Sequence, residues 1–330
     1  MAKPLKAARS RSVGHLKYAI VGGRLEDDNI AIYAEMHRLS GGRILVFSTA
    51  SSEPEEVGKE TAAVFRSHGF DVDIAPLTAA NAQTVARDAQ LLDRIADYRS
   101  VYFTGGDQAN IFNALSPNSV ETPALKAIRA AHKAGGLLAG SSAGAAMMSH
   151  PMLLGGTSHE AMVHGVTDDP KQPGILLGEG LGFFNAGLVD QHFIKRGRLG
   201  RLVVAMNATG HRRAFGIDEN TALIVEDGVG TVCGEYGVFY VNTPLRADHA
   251  RDDHGARAFK LSYLDDGDAI DLKSFAIKPG AEKRRLRKSE MIYRAPAHSR
   301  RNAFGGYAIY DLMARLVLGD QSSYSSDTSE

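Results

Sequence analysis

The first 140 residues alternate between short apolar runs and longer stretches with helical spacing. Tyr18-Ala19-Ile20-Val21, Ile44-Leu45-Val46-Phe47, Val101-Tyr102-Phe103 and Leu137-Leu138-Ala139 are bounded by glycine or polar turns and are too short for helices, so they read as buried strands. Residues 70–77 alternate apolar and polar positions and add another strand. Helical spacing runs from Ile30 to a stop at Gly41-Gly42, and from Pro54 to His68 with proline in the first turn and Gly69 as the stop. It returns over Ala82 to Ala96 and Pro123 to Ala134. Strands and helices alternating at this spacing predict an α/β fold, with a doubly wound, mostly parallel sheet and flanking helices. In such sheets ligands sit at the carboxyl ends of the strands. The loops Gly22-Gly23 and Thr104-Gly105-Gly106-Asp107-Gln108, and the turn after Leu137-Leu138-Ala139, all leave strands at that rim.

That last turn is Gly140-Ser141-Ser142-Ala143-Gly144, a G-x-S-x-G pattern between a strand and a small-residue helical run. It predicts a nucleophile elbow with Ser142 on a strained turn that only small neighbours tolerate, and with the Ala143 amide as the first candidate oxyanion donor. Residues 151–179 lose all periodicity and read as an irregular lid or substrate loop. Within them His159-Glu160 and His164 are one residue too far apart for the zinc motif H-E-x-x-H, so no metal site is expected. Leu181 to Val189 reads as a strand leading into Asp190-Gln191-His192-Phe193. Arg196, Arg198 and Arg201 follow at spacings that share no helical face, so a loop should lead into the helical run Leu202 to Met206.

Ala222 to Val225 and the alternating stretch Val229 to Asn242 predict antiparallel strands, and residues 258–278 predict more. The expected organisation is a basic, flexible leader over 1–17 and an α/β domain over 18–245. A β-rich extension over 246–318 should pack on that core and close with a helix at Ala308 to Leu318, before a disordered tail over 319–330.

Charge and cysteine content narrow the partners. Lys plus Arg and Asp plus Glu both total 38, which gives no global field for nucleic acid or an anionic membrane. Cys233 is the single cysteine, so no intramolecular disulfide can form, and a buried thiol in a reducing compartment is expected. No run reaches the roughly 18 to 20 apolar residues of a membrane span, and residues 1–17 lack the apolar core of a secretory signal, so a cytoplasmic location is expected. Residues 283–288 form a basic run that reads as a solvated face. No cofactor is expected.

A serine nucleophile needs a base, and the base needs an orienting group. His192 is the candidate base because it ends a strand-like run as Ser142 does. Glu219 is the candidate acid at another strand border, with Asp218 and Asp190 as competitors. The resulting order, serine, histidine, acid, differs from that of α/β-hydrolases, and an H-G-G-G-type loop is absent from the sequence.

Four stretches in this order together resemble the serine peptidase family that holds the cyanophycinases and aspartyl dipeptidases. They are Phe103-Thr104-Gly105-Gly106-Asp107-Gln108, Gly140 to Ala145, Asp190-Gln191-His192-Phe193 with the three arginines, and Gly216 to Ala222. The resemblance covers roughly residues 18–245 and implies a fold similar to class I glutamine amidotransferases. It implies a triad of Ser142, His192 and Glu219, and an oxyanion hole from Gly106 and Ala143. It further implies a substrate pocket lined by Gln108, Asp190, Gln191, Arg196, Arg198 and Arg201. The implied activity is hydrolysis, from a chain end, of the aspartate backbone of cyanophycin, a poly-aspartate with arginine on each side-chain carboxyl, to β-Asp-Arg dipeptides. A homodimer is implied as well. A dipeptidase of the same family acting on short aspartyl or isoaspartyl peptides is the nearest alternative, and an inactive polymer-binding module the more distant one.

Overall fold

The computed structural model describes residues 16–243, 259–283, 298–302 and 325–327. The chain opens with β1 (Lys17–Val21), α1 (Ile30–Ser40), β2 (Arg43–Phe47), α2 (Pro54–Ser67) and β3 (Asp71–Ile74). It continues through α3 (Ala82–Val85), α4 (Ala89–Tyr98), β4 (Val101–Phe103), α5 (Gln108–Leu115), α6 (Pro123–Lys133) and β5 (Leu137–Ser141). Capping side chains set where several of these helices start: Asn29, Asp88, Asp107 and Thr122 each accept from an amide in the first turn of α1, α4, α5 and α6.

Strands β3, β2, β4, β5 and β1 lie side by side, all parallel. Their side chains alternate between two cores, as the two-residue period of a strand requires. Tyr18, Ile20, Leu45 and Phe47 face α4, α5 and α6, where Leu91, Ile95, Ile111, Leu125 and Ile128 meet them. Ala19, Val21, Ile44 and Val46 face Ile32, Tyr33 and Met36 of α1 and Ala62 and Phe65 of α2. Helices thus cover both faces of the sheet, the doubly wound arrangement expected.

After β5 come α7 (Ala143–Ala146), β6 (Met152–Gly155), α8 (Ser158–His164), β7 (Val166–Thr167), β8 (Ile175–Gly178), β9 (Leu188–Asp190) and α9 (Leu199–Thr209). The stretch expected to be irregular over 151–179 therefore holds a short helix and a three-stranded sheet ordered β6-β8-β7. Its strands are two to four residues long and sit among the glycines and prolines of 155, 156, 165, 170, 173 and 174, which break any repeating pattern. Only the end of the strand expected over Leu181 to Val189 is extended in a ladder, since glycines at 180, 182 and 187 interrupt its start.

The rest is β-rich: β10 (Arg213–Ile217), β11 (Thr221–Glu226), β12 (Val229–Gly234), β13 (Gly237–Asn242), β14 (Lys260–Asp265), β15 (Ala269–Asp271) and β16 (Ile277–Lys278). These strands do not all join one sheet. Antiparallel β11, β12, β15 and β16 extend the central sheet beyond β1 to nine strands, while β9, β10, β13 and β14 form a second sheet of four. One face of the second sheet adds Val189, Phe215, Ile217, Val238 and Tyr240 to the core under α4, α5 and α6. Its other face packs Leu188, Ala214, Phe239 and Val241 against Leu202, Val203 and Met206 of α9.

Residues 260–278 thus add a strand to the second sheet and two to the first. A separate parallel ladder joins His298–Asn302 to Ser325–Asp327. Cys233 lies half-buried in β12, and burial pushes its thiol up to about 11. The leader up to residue 15, the basic run after Lys283, the helix expected at Ala308 to Leu318 and the tail apart from Ser325–Asp327 lie outside the described residues.

Candidate active site

The elbow is built from backbone contacts that exclude side chains. Ser142 has φ 55° and ψ −109°, a conformation that costs a non-glycine residue ~1–3 kcal/mol. Its amide donates to Val21 O at 3.1 Å, and its carbonyl accepts from Ala145 N and Ala146 N. A Cβ on Gly140 would lie 2.5 Å from Gly144 O, and one on Gly144 would lie 2.2 Å from Phe103 O. Both glycines of the motif are therefore required by close approach of three backbone segments. The helix after the serine is a single turn rather than the longer run expected, and Ala143 N is its first amide, one of those a helix start leaves without an intrahelical acceptor.

His192 and Glu219 complete a line of hydrogen bonds from Ser142. Ser142 Oγ is 2.8 Å from His192 Nε2, and His192 Nδ1 is 2.7 Å from Glu219 Oε1. Facing a carboxylate, Nδ1 carries the ring proton, which leaves Nε2 to accept from the serine hydroxyl. Burial holds the His192 pKa below its ordinary 6.5; the Glu219 hydrogen bond works against that shift, and the charge of Arg196 adds to it. The imidazole is therefore neutral at neutral pH.

The two competing acids are engaged elsewhere. Asp218 Oδ1 accepts from Ile194 N at 2.9 Å, and Asp190 is paired with arginine. Three strand ends supply the line. Ser142 follows β5 of the central sheet, His192 follows β9 of the second sheet, and Glu219 lies in the crossing from β10 to β11 between the two sheets.

The Gly22-Gly23 loop after β1 has a role that the sequence reading did not assign. Gly22 O accepts from His192 N at 2.6 Å, and Gly23, at φ 116°, lies so close to the imidazole that a Cβ would be 2.3 Å from Cε1. The signal that could have found it is a pair of glycines directly after the first strand of a doubly wound sheet.

Thr104-Gly105-Gly106 approaches from β4. A Cβ on Gly105 would sit 3.4 Å from Ser142 Cβ, and Gly106 adopts φ 138° with its Cα pressed on Ala50 O, where a Cβ would fall within 2.2 Å. Gly105 therefore borders Ser142, and Gly106 is the next residue of the same loop.

The remaining residues divide by burial. Arg196 and Lys195 are exposed beside the base. Arg198 is buried, its Nη1 donating to Gln191 O at 2.6 Å and Gln191 Oε1 at 2.9 Å, and desolvation lowers its pKa to about 10. Gln108 is buried, with Nε2 donating to Leu153 O at 2.6 Å. Asp190 and Arg201, both expected in the pocket wall, form a buried bidentate ion pair, Nε to Oδ2 at 2.8 Å and Nη2 to Oδ1 at 2.5 Å. Helix α9 begins at Leu199, so Arg201 projects into the protein toward β9, while Arg196 sits on the preceding loop. His159 and Glu160 open α8, where Glu160 and Thr157 close a capping box. A cavity of about 310 Å³ opens on the far side of Glu219, walled in part by Arg24, Glu26, Glu235 and Tyr236.

Comparison with known proteins places the chain among peptidases. Proteins named cyanophycinase are similar in sequence. That of Trichormus variabilis is 32% identical over 250 residues, 73% of this chain and 78% of its own length. That of Synechococcus elongatus is 30% identical over 290 residues, 83% and 85% respectively. Among solved structures, a peptidase from an acI-B1 Actinobacterium superposes with a TM-score of 0.53 at 21% identity, covering 78% of this chain and 98% of that one, which supports the fold. The sequence profile of peptidase family S51 matches residues 20–232, and the chain belongs to that family.

Proposed function

We propose that this chain hydrolyses cyanophycin by a serine-peptidase mechanism, releasing β-Asp-Arg dipeptides. The observation that carries the mechanism is the continuous line Ser142 Oγ to His192 Nε2 at 2.8 Å and His192 Nδ1 to Glu219 Oε1 at 2.7 Å. The choice of substrate is supported by the cyanophycinases at 30–32% identity over most of the chain.

In this reading Ser142 Oγ attacks the carbonyl carbon of an aspartate backbone peptide bond while its proton passes to Nε2 of His192. The tetrahedral oxyanion is met by the amides of Gly106 and Ala143. Glu219 stabilises the imidazolium and keeps Nδ1 protonated, so Nε2 is aimed at the leaving amine, to which it gives the proton as the C–N bond breaks. Water then enters, loses a proton to His192 and attacks the acyl ester, and Ser142 regains its hydrogen when the ester bond breaks.

The substrate carries a free carboxylate on every arginine. Arg196 and Arg198, with Gln191 held by the latter, supply donors for it beside the base. The family resemblance adds Gln108, Asp190 and Arg201 to the same pocket in this reading, with Gln108 tied to Leu153 O and Arg201 to Asp190. The single cysteine supports a reducing, cytoplasmic setting, and the family resemblance supports a homodimer.

The test is incubation of the purified protein with insoluble cyanophycin, Ser142→Ala in parallel, with soluble products read by mass spectrometry. The expected result is β-Asp-Arg from the wild type and a rate lower by about 10³-fold or more without the serine. Hydrolysis of short aspartyl peptides with no release from the polymer would overturn the substrate, and activity that survives Ser142→Ala would overturn the nucleophile.

A further inference from the structure

Glu219 is held less by its own side chain than its position requires. One oxygen accepts from His192, but the other faces the 310 Å³ cavity, with exposed Arg24 Nε no nearer than 3.9 Å, and the side chain is 16% exposed. A carboxylate held by one hydrogen bond is placed largely by where its backbone starts the side chain. The next residue fixes it.

Asn220 is buried, with φ 49°, in the left-handed region that asparagine tolerates better than most residues. Its backbone amide donates to Gly23 O at 2.9 Å, and its carbonyl accepts from Glu235 N at 3.1 Å and Asn29 Nδ2 at 3.2 Å. Its side-chain Oδ1 accepts from Glu26 N at 3.1 Å and Asn29 Nδ2 at 2.8 Å, and its Nδ2 donates to Glu26 Oε2 and Glu235 Oε2, both at 3.2 Å. One side chain thus ties together the loop after β1, the crossing that carries Glu219, and the turn between β12 and β13.

The same loop after β1 carries Gly22, whose carbonyl holds the His192 amide, and Gly23, whose Cα lies against the imidazole. Both groups that aim His192, the Glu219 carboxylate and the glycine floor, are therefore registered to each other through Asn220. We infer that Asn220 is a positioning residue for the relay, acting through Glu219 and Gly23 without touching substrate. Glu26 and Glu235 are its acceptors. The inference rests on the relay proposed above.

Asn220→Gly tests it best, because glycine keeps the left-handed backbone and removes only the side chain. Two readouts separate positioning from general stability: the rate at which a fluorophosphonate probe labels Ser142, which needs no polymer, and the split between kcat and KM on cyanophycin. The expected result is a cooperative melt, labelling and kcat slower by roughly 10²-fold, as misplacement by about an ångström costs, and KM within about threefold of wild type. Asn220→Asp should be as slow, since it faces two carboxylates with a third. Adding Glu26→Gln and Glu235→Gln to it restores donor–acceptor matching with the polarity reversed, and should recover at least about tenfold of the labelling rate. Wild-type labelling in folded Asn220→Gly, or a triple variant no faster than Asn220→Asp, would overturn the inference. Labelling that survives Ser142→Ala would sink the relay itself, and this inference with it.

Discussion

At the scale of the residue, the proposed chemistry depends on the protonation of His192. Burial favours the neutral ring and the Glu219 carboxylate favours the charged one, with burial the stronger of the two. The base works only when neutral, so kcat/KM should fall as pH drops through a midpoint below the ordinary 6.5. The same shift is a stability statement. Below pH 6.5 the unfolded chain takes up the proton before the folded one does, so His192 withdraws stability as pH falls from there toward its folded pKa. Glu219→Gln removes the group that raises the pKa and lets the amide donate to Nδ1, which puts the proton on the wrong nitrogen. The expected outcome is a kcat lower by about 10³–10⁴-fold with the acid limb displaced to lower pH. A pH–rate profile of both proteins checks this; an acid limb that stays in place would mean Glu219 does not set the charge of His192.

At the scale of the element, the elbow shows what a sequence can and cannot reveal. G-x-S-x-G named Ser142, but the reason for each glycine lies in neighbours far along the chain: Gly144 is needed because Phe103 O of β4 would come within 2.2 Å of a side chain. Gly144→Ala must push β4 from β5 or break the turn, and a loss of about 2 kcal/mol or more in urea unfolding is expected; a loss under about 0.5 kcal/mol would show that the turn relaxes at little cost. The parallel strands and most large helices were legible because their apolar periods run for several residues. Helix α5 was missed, since its eight residues follow a glycine turn that dominates the local signal, and the small sheet of β6, β8 and β7 was missed because its short strands are separated by glycines and prolines with no regular helix–strand spacing around them. Of the three candidate acids the sequence favoured Glu219 without deciding. What separates it from Asp218 is which way the crossing turns each side chain, and that is set by Asn220 and by the Thr221 hydroxyl, which donates to Glu219 O at 3.0 Å.

At the scale of the molecule, the relay spans two sheets, so its geometry is only as good as their mutual anchoring. Ser142 belongs to the central sheet and His192 to the second, and one fixed point between the second sheet and its surroundings is the Asp190–Arg201 pair. Arg201 reaches from α9 to the end of β9, donates through Nη1 to Gly156 O at 2.8 Å in the loop after β6, and takes the Ser158 hydroxyl as acceptor for its own amide at 3.1 Å. A pair this deeply buried gains little over an apolar replacement of both partners, yet removing one partner strands the other charge. Arg198 Nη1, 3.5 Å from Asp190 Oδ1, stays as a weaker second partner, so Arg201→Met should cost up to about 3 kcal/mol, and Asp190→Asn in that background should recover part of the loss. The family resemblance would make the same arginine a substrate ligand, and that reading gives a different pattern: KM for the polymer rises while the urea midpoint stays in place. Unfolding and steady-state kinetics on the same single and double variants decide between them. A stabilised double variant that still holds its polymer KM would assign Arg201 to the architecture that aligns the two sheets, leaving Arg196 and Arg198 to meet the substrate.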